Sequence, residues 1–218
     1  MPVLYIITGS NGAGKSSIGP DYLPTHLRDS VFDGDKLLMQ KRTELWKAGV
    51  KSPKEYNRLS SDAVDAIFDG LVETALTGET DFAYEGHFTT DATWGVPKRF
   101  KAAGYKIHLI FFGLKDITLS ETRVIGRAKE GGHNVDPMTL TSNFYGNLQK
   151  LDEYFGIFDT VRIVDTSGIE HIGLALLKKG KCISAVAADQ LPNWFIENLP
   201  NITRLTARKE RRRENRRE

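Results

Sequence analysis

The sequence predicts an α/β fold in which helices cover both faces of a mainly parallel five-stranded sheet, followed by a C-terminal β-hairpin and helix. Three observations predict it: short continuous apolar runs alternate with longer stretches of helical period, a Gly-rich loop joins the first run to the first helix, and the pattern changes after Asp165.

Val3–Ile7 is a continuous apolar run rich in β-branched residues, the pattern of a strand buried on both faces. It has no preceding Lys or Arg and leads straight into the loop, so it reads as a strand rather than a signal peptide. Similar runs at Ser30–Phe32, Phe82–Tyr84, Lys106–Phe112 and Val161–Val164 supply the other four strands. Between them lie helical patterns over Lys36–Ala48, Glu55–Leu76, Val96–Ala103, Ile117–Lys129 and Met138–Phe155. Strands joined through helices imply right-handed crossovers and parallel pairing. Beyond Asp165, Ile172–Leu177 and Cys182–Ala187 flank Lys178-Lys179-Gly180-Lys181, a hairpin either appended to the sheet or packed on its edge. Leu191-Pro192-Asn193-Trp194 opens a short helix, and Asn201 is placed to cap a final one.

A chain of 218 residues fits one domain with extra elements, read as residues 1–203 followed by a basic tail over residues 204–218. The lone cysteine, Cys182, excludes an internal disulfide and a multi-thiolate metal site, and fits a cytoplasmic location. No apolar run approaches the ~20 residues of a membrane-spanning helix, so no membrane partner is expected. The formal net charge of +2 hides an asymmetry, because the tail holds eight basic and three acidic residues while the rest is net negative. A nucleic-acid partner would therefore be engaged through the tail alone, which is poor in apolar residues and expected to fray or be disordered.

Gly9-Ser10-Asn11-Gly12-Ala13-Gly14-Lys15-Ser16 fits the phosphate-loop pattern G-x-x-x-x-G-K-[ST] in full, between a strand and a helix, with Ser17 next. Such a loop turns successive backbone N–H groups toward phosphate oxygens. Lys15, expected to be exposed, would reach the β- and γ-phosphates, and the Ser16 hydroxyl would bind Mg²⁺. A dinucleotide fingerprint starting at Gly12 fails because its third glycine position is Ser17, so the expected ligand is ATP rather than a nicotinamide cofactor. No N-K-x-D guanine reader and no apolar strand ending in Asp-Glu is present, which disfavours a GTPase switch and a motor and leaves a P-loop NTPase three-layer fold of the small-molecule kinase type.

Asp33-Gly34-Asp35 follows the second strand and Glu85-Gly86-His87 ends the third. Ligands of open α/β sheets sit outside the carboxyl ends of the strands, so these acids face the loop. A kinase needs a carboxylate there for the attacking hydroxyl; Asp35 and Glu85 are the candidates, while Asp33 reads equally well as a helix cap or turn former. Arg123 and Arg127, at i and i+4, share a helix face from which both could reach the γ-phosphate, or else pair with Glu121 or Glu130 in solvent. Gly131-Gly132-His133 would then form a lid hinge.

Taken in order, the P-loop, Phe32-Asp33-Gly34-Asp35, Tyr84-Glu85-Gly86-His87-Phe88-Thr89 and the Arg123–His133 segment resemble the zeta toxin/UDP-N-acetylglucosamine kinase family over roughly the first 135 residues. The resemblance implies that Asp35 is the catalytic base, that Glu85 with Thr89 contacts the acceptor, and that the lid arginines neutralise the transferred phosphate. It also implies ATP and Mg²⁺ as cofactors, a small-molecule acceptor with nucleotide sugars among the candidates, and an antitoxin-like protein partner. The chain departs from the family at Asn143, where many members carry arginine, and in the segment beyond Asp165. A nucleic-acid-associated ATPase, such as a polynucleotide kinase using the Arg tail, and a degenerate P-loop protein that binds ATP without transfer are the competing readings.

Overall fold

The computed structural model describes residues 1–129 and 135–214. Its elements run β1 Val3–Gly9, α1 Lys15–Ile18, β2 Phe32–Asp33, α2 Gly34–Lys47, α3 Pro53–Gly78, β3 Phe82–Glu85, α4 Gly95–Ala102, β4 Lys106–Gly113, α5 Ile117–Lys129, α6 Pro137–Tyr154, β5 Thr160–Asp165, β6 Ile172–Lys178, β7 Lys181–Ala185, α7 Asn193–Asn198 and α8 Pro200–Glu214. The strands make one seven-stranded sheet in the order β2-β3-β1-β4-β5-β6-β7. β1 to β5 pair in parallel, and the hairpin continues the sheet antiparallel to β5 rather than packing on its edge.

The apolar runs become strands because both faces of the sheet are covered. Leu4, Ile6 and Ile7 of β1, Ile107 and Leu109–Phe112 of β4, and Val161, Ile163 and Val164 of β5 are all buried. The hairpin turn follows from Lys179 and Gly180, both at positive φ, between the paired Lys178 and Lys181, the geometry that suits the right-handed twist of a two-residue loop.

The first helix and the second strand are both short. The helix after the loop is only four residues long and passes into a 3₁₀ turn over Gly19–Tyr22, since Pro20 has no N–H to donate to the Ser16 carbonyl. The second strand, expected over Ser30–Phe32, is Phe32–Asp33 instead, because residues up to Ser30 form a second 3₁₀ turn closed by Ser30 Oγ on the Leu27 carbonyl, 3.2 Å.

The C-terminal elements belong to the core. Trp194, Phe195, Leu199 and Ile202 are buried, each worth roughly 1.5–3 kcal/mol relative to an exposed side chain. The Trp194 ring occupies the space that a Cβ on Gly113 would need, at 2.1 Å, so only glycine fits at the end of β4. α8 is helical as far as Glu214, through much of the segment expected to fray. Its first turn is capped not by Asn201 but by Asp152 of α6, whose carboxylate accepts from the Asn201 and Ile202 N–H groups at 3.0 and 2.9 Å. No helix among the described residues is long and apolar enough to cross a membrane.

Parallel pairing brings strand ends into line. Ile7 of β1 lies opposite Glu85 of β3, and Glu85 opposite Asp33 of β2, so the loop after β1 and the acids after β2 and β3 share one edge of the sheet.

Candidate active site

The phosphate loop leaves β1 through Gly9 at φ 139°, where a Cβ would come within 2.1 Å of the Phe112 carbonyl oxygen. From there the loop's carbonyls are taken up one by one. Lys15 Nζ donates to the Gly9 and Ser10 carbonyls at 3.2 and 3.1 Å. Ser120 Oγ donates to that of Asn11 at 2.7 Å, Arg123 to that of Gly12 at 3.3 Å, and Thr166 Oγ1 to that of Ala13 at 3.0 Å. Carbonyls engaged in this way are turned from the concave side, which leaves the N–H groups to an anion. Asn11 is fixed further by Asn143, whose amide donates to Asn11 Oδ1 at 2.9 Å.

A hollow of about 270 Å³ in front of the loop is lined by Asn11, Gly12, Gly14, Lys15, Ser16, Ser17, Asp35, Glu85 and Arg127. Most of the residues expected at a phosphoryl-transfer site thus converge, although the sequence positions span more than a hundred residues. Glu85 ties the loop to the end of β3. It accepts from Ser16 Oγ at 2.7 Å and lies 3.9 Å from Lys15 Nζ. Burial pushes its carboxyl above the usual range, partly offset by the Lys15 charge, and burial pushes Lys15 below the usual lysine value. A second hollow, about 230 Å³, opens on the other side of Glu85 against Phe32, Phe68, Tyr84, His87 and Phe88.

Four expectations are refined by this geometry. Lys15 is buried, at 6% exposure, because its ammonium folds back onto its own loop's carbonyls. Asp33 caps α2, accepting from the Lys36 N–H at 3.0 Å, whereas Asp35, in the first turn of the same helix, faces the hollow. Arg123 does not join Arg127 in the hollow; its guanidinium spans the Gly12 and Ser167 carbonyls, at 3.3 and 3.1 Å, and so braces the loop. Thr89 packs against Gly146 of α6 rather than lining the hollow beside Glu85. The hinge proposed at Gly131–His133 lies outside the described residues.

Mg²⁺ fits the donor set. Ser16 Oγ is a hard oxygen that donates its hydrogen to Glu85 and so keeps its lone pairs for a cation, and the Asp35 carboxylate lines the same hollow. Among the described residues no group of three or more His, Cys, Asp or Glu forms a cage. An ion at Ser16 would therefore need phosphate oxygens and water to complete its coordination.

Sequence reasoning missed Ser120, Thr166, His87 and Asn147. Asn147 Oδ1 accepts from the Phe88 N–H and Thr8 Oγ1 at 2.6 and 3.2 Å, and His87 lies between Asn147 Nδ2 and Lys15 Nζ at 2.9 and 3.5 Å. These residues are polar and buried or partly buried, a combination that sequence alone does not reveal.

The fold recurs in solved structures. The AvrRxo1-ORF1:AvrRxo1-ORF2 complex determined with ATP matches with a TM-score of 0.68 at 16% identity, over 91% of this chain and 64% of that one. The same complex with sulphate ions gives 0.69 at 17%, with the same coverage. The chain therefore spans a little under two thirds of the first structures it matches. A structure of the PezAT chromosomal toxin–antitoxin system of Streptococcus pneumoniae gives 0.53 at 20%, over 78% of this chain and 72% of that one. At such identities the likeness is one of fold. No individually curated protein matches. The profile of the Zeta toxin family matches residues 1–173, well over half of the sequence, and the chain belongs to that family.

Proposed function

We propose that the protein is an ATP- and Mg²⁺-dependent kinase that transfers the γ-phosphate to a hydroxyl of a small acceptor, with nucleotide sugars the first class to test. The observation that carries this reading is Glu85, a shared wall of the phosphate-loop hollow and the aromatic hollow beside it, so that a donor and an acceptor site abut. The loop N–H groups and Lys15 hold the β- and γ-phosphates, and Ser16 holds the metal. A Mg²⁺ ion held at Ser16 would supply positive charge against the charge that develops on the transferred phosphate. The acceptor oxygen attacks the γ-phosphorus, the bond to the β–γ bridging oxygen breaks, and the hydroxyl proton passes to Asp35. Arg127 neutralises charge on the transferred group, and Glu85 orients both Ser16 and the acceptor. An antitoxin-like partner is part of the same reading, since the pneumococcal neighbour comes from a toxin–antitoxin system.

Transfer from labelled ATP to a panel of nucleotide sugars and nucleosides tests it, with two substitutions beside the parent. Asp35→Asn keeps shape but loses the proton acceptor, so kcat and kcat/KM fall together by about 10²- to 10⁴-fold while Mg-ATP still binds. Asp33→Asn costs little, because Asn caps a helix nearly as well as Asp. If both variants keep parental activity toward an identified acceptor, this mechanism is wrong; if Asp33→Asn alone is dead, the base has been misassigned.

A further inference from the structure

The amide of Asn147 has one possible orientation. The Phe88 N–H can only donate and the Asn143 carbonyl can only accept, and they lie 2.6 and 2.5 Å from the two ends of the side chain. The oxygen therefore faces Phe88 and the nitrogen faces Asn143. The same nitrogen is 2.9 Å from His87 Nδ1, which must then present a lone pair. Turning the amide over would set donor against donor at Phe88 and acceptor against acceptor at Asn143.

A neutral imidazole has one proton, so His87 carries it on Nε2. Burial, and after it the charge of Lys15, hold the ring well below the ordinary histidine pKa, in agreement with a neutral ring. Nε2–H faces Lys15 Nζ at 3.5 Å, one donor against another, while two of the lysine's three hydrogens go to the Gly9 and Ser10 carbonyls and the third is left for a ligand. Lys15 lines the phosphate-loop hollow and His87 the aromatic hollow beside it, so two donors 3.5 Å apart meet where the hollows abut, and an oxygen accepting from both would satisfy them.

We infer that His87 is a fixed hydrogen-bond donor to the γ-phosphoryl oxygen that Lys15 also binds, and that Asn147 is the positioning residue that selects the required tautomer. The inference rests on the kinase reading above, and it adds to the site a residue whose role comes from its second-neighbour contacts. Glutamine can stand in for this tautomer, since its amide offers one acceptor to Asn147 and one donor to the ligand. Leucine keeps bulk and offers neither.

Two measurements test it. The ¹⁵N spectrum of the free parent protein reports the tautomer directly, and should show Nδ1 bare and Nε2 protonated. Titration calorimetry with Mg-AMPPNP and Mg-ADP should then separate the variants. His87→Leu should bind Mg-AMPPNP roughly tenfold or more weakly than the parent and Mg-ADP equally well, while His87→Gln stays within about twofold for both. A proton on Nδ1, or a leucine variant that binds Mg-AMPPNP as tightly as the parent, overturns the assignment and leaves the kinase reading standing. Equal losses in the leucine and glutamine variants overturn it too, since shape rather than donation would then matter. A parent protein that binds neither nucleotide overturns both readings. Should the leucine variant fail to fold, the tautomer measured on the parent still decides.

Discussion

Arg123 and Arg127 lie one helical turn apart on α5 and have different surroundings. Arg127 lines the hollow with Lys15, Asp35 and Glu85, whereas Arg123 bridges the Gly12 and Ser167 carbonyls. The consequences of removing them should differ accordingly. Arg127→Ala should lower kcat by around 10³-fold with little change in ATP affinity, the pattern of a charge that matters as the phosphoryl group leaves. Arg123→Ala should weaken ATP binding by about tenfold or more and reduce kcat less, because the loop loses a brace on one of its carbonyls. Steady-state kinetics paired with equilibrium nucleotide binding distinguishes these outcomes, and the reverse pattern would exchange the two roles. The same contrast shows which residues were legible in sequence. The loop and its lysine and serine were, because their function depends on neighbours within eight residues. Arg123 as a brace, Ser120, Thr166 and Asn147 were not, because each acts on a backbone group from which it is separated by 59 or more positions.

Elements were readable wherever a local pattern decided them. Five strands and five long helices follow from apolar periodicity, and the hairpin turn from Lys179-Gly180. Legibility failed at the ends, where partners come from afar. Asn201 has the right chemistry to cap α8, yet the helix starts one residue earlier at Pro200, and the carboxylate that meets its N–H groups comes from Asp152, 49 residues back. A carboxylate buried at a helix N-terminus satisfies two donors and complements the helix dipole. Asp152→Ala should therefore cost about 2 kcal/mol or more in chemical denaturation, with Asp152→Asn in between, since it can still accept from one N–H. Because α6 carries Asn147 as well as Asp152, the alanine variant also tests whether the C-terminal helix steadies the site. If α8 merely rests on the domain, the alanine variant will show the parent's denaturation midpoint.

At the scale of the whole molecule, the carboxyl edge of the sheet gathers groups for which burial disfavours charge: Glu85 is pushed up, Lys15 down, and His87 well below its usual value of 6.5. Unfolding returns each to water, so global stability depends on pH through the site itself. The directions differ. Glu85, with its folded value raised, contributes stability that is present below the ordinary carboxyl value of 4.5 and lost as pH rises through the raised one. His87, with its folded value depressed, contributes stability that is present above 6.5 and lost as pH falls toward the folded value, because the unfolded chain takes up a proton that the buried ring, facing the Lys15 ammonium and the Asn147 amide, refuses. The measurement is a difference between parent and variant, which isolates this one ring. Urea denaturation midpoints of the parent and of His87→Gln, taken from about pH 8 down to about pH 5, should run parallel on the alkaline side. Below about 6.5 the parent should lose stability relative to the variant, by no more than about 1.4 kcal/mol per pH unit, the limit for a single proton. Curves that stay parallel throughout would mean that the folded protein protonates this ring as readily as the unfolded chain does, and His87 could not then be the neutral donor that the Asn147 contact requires.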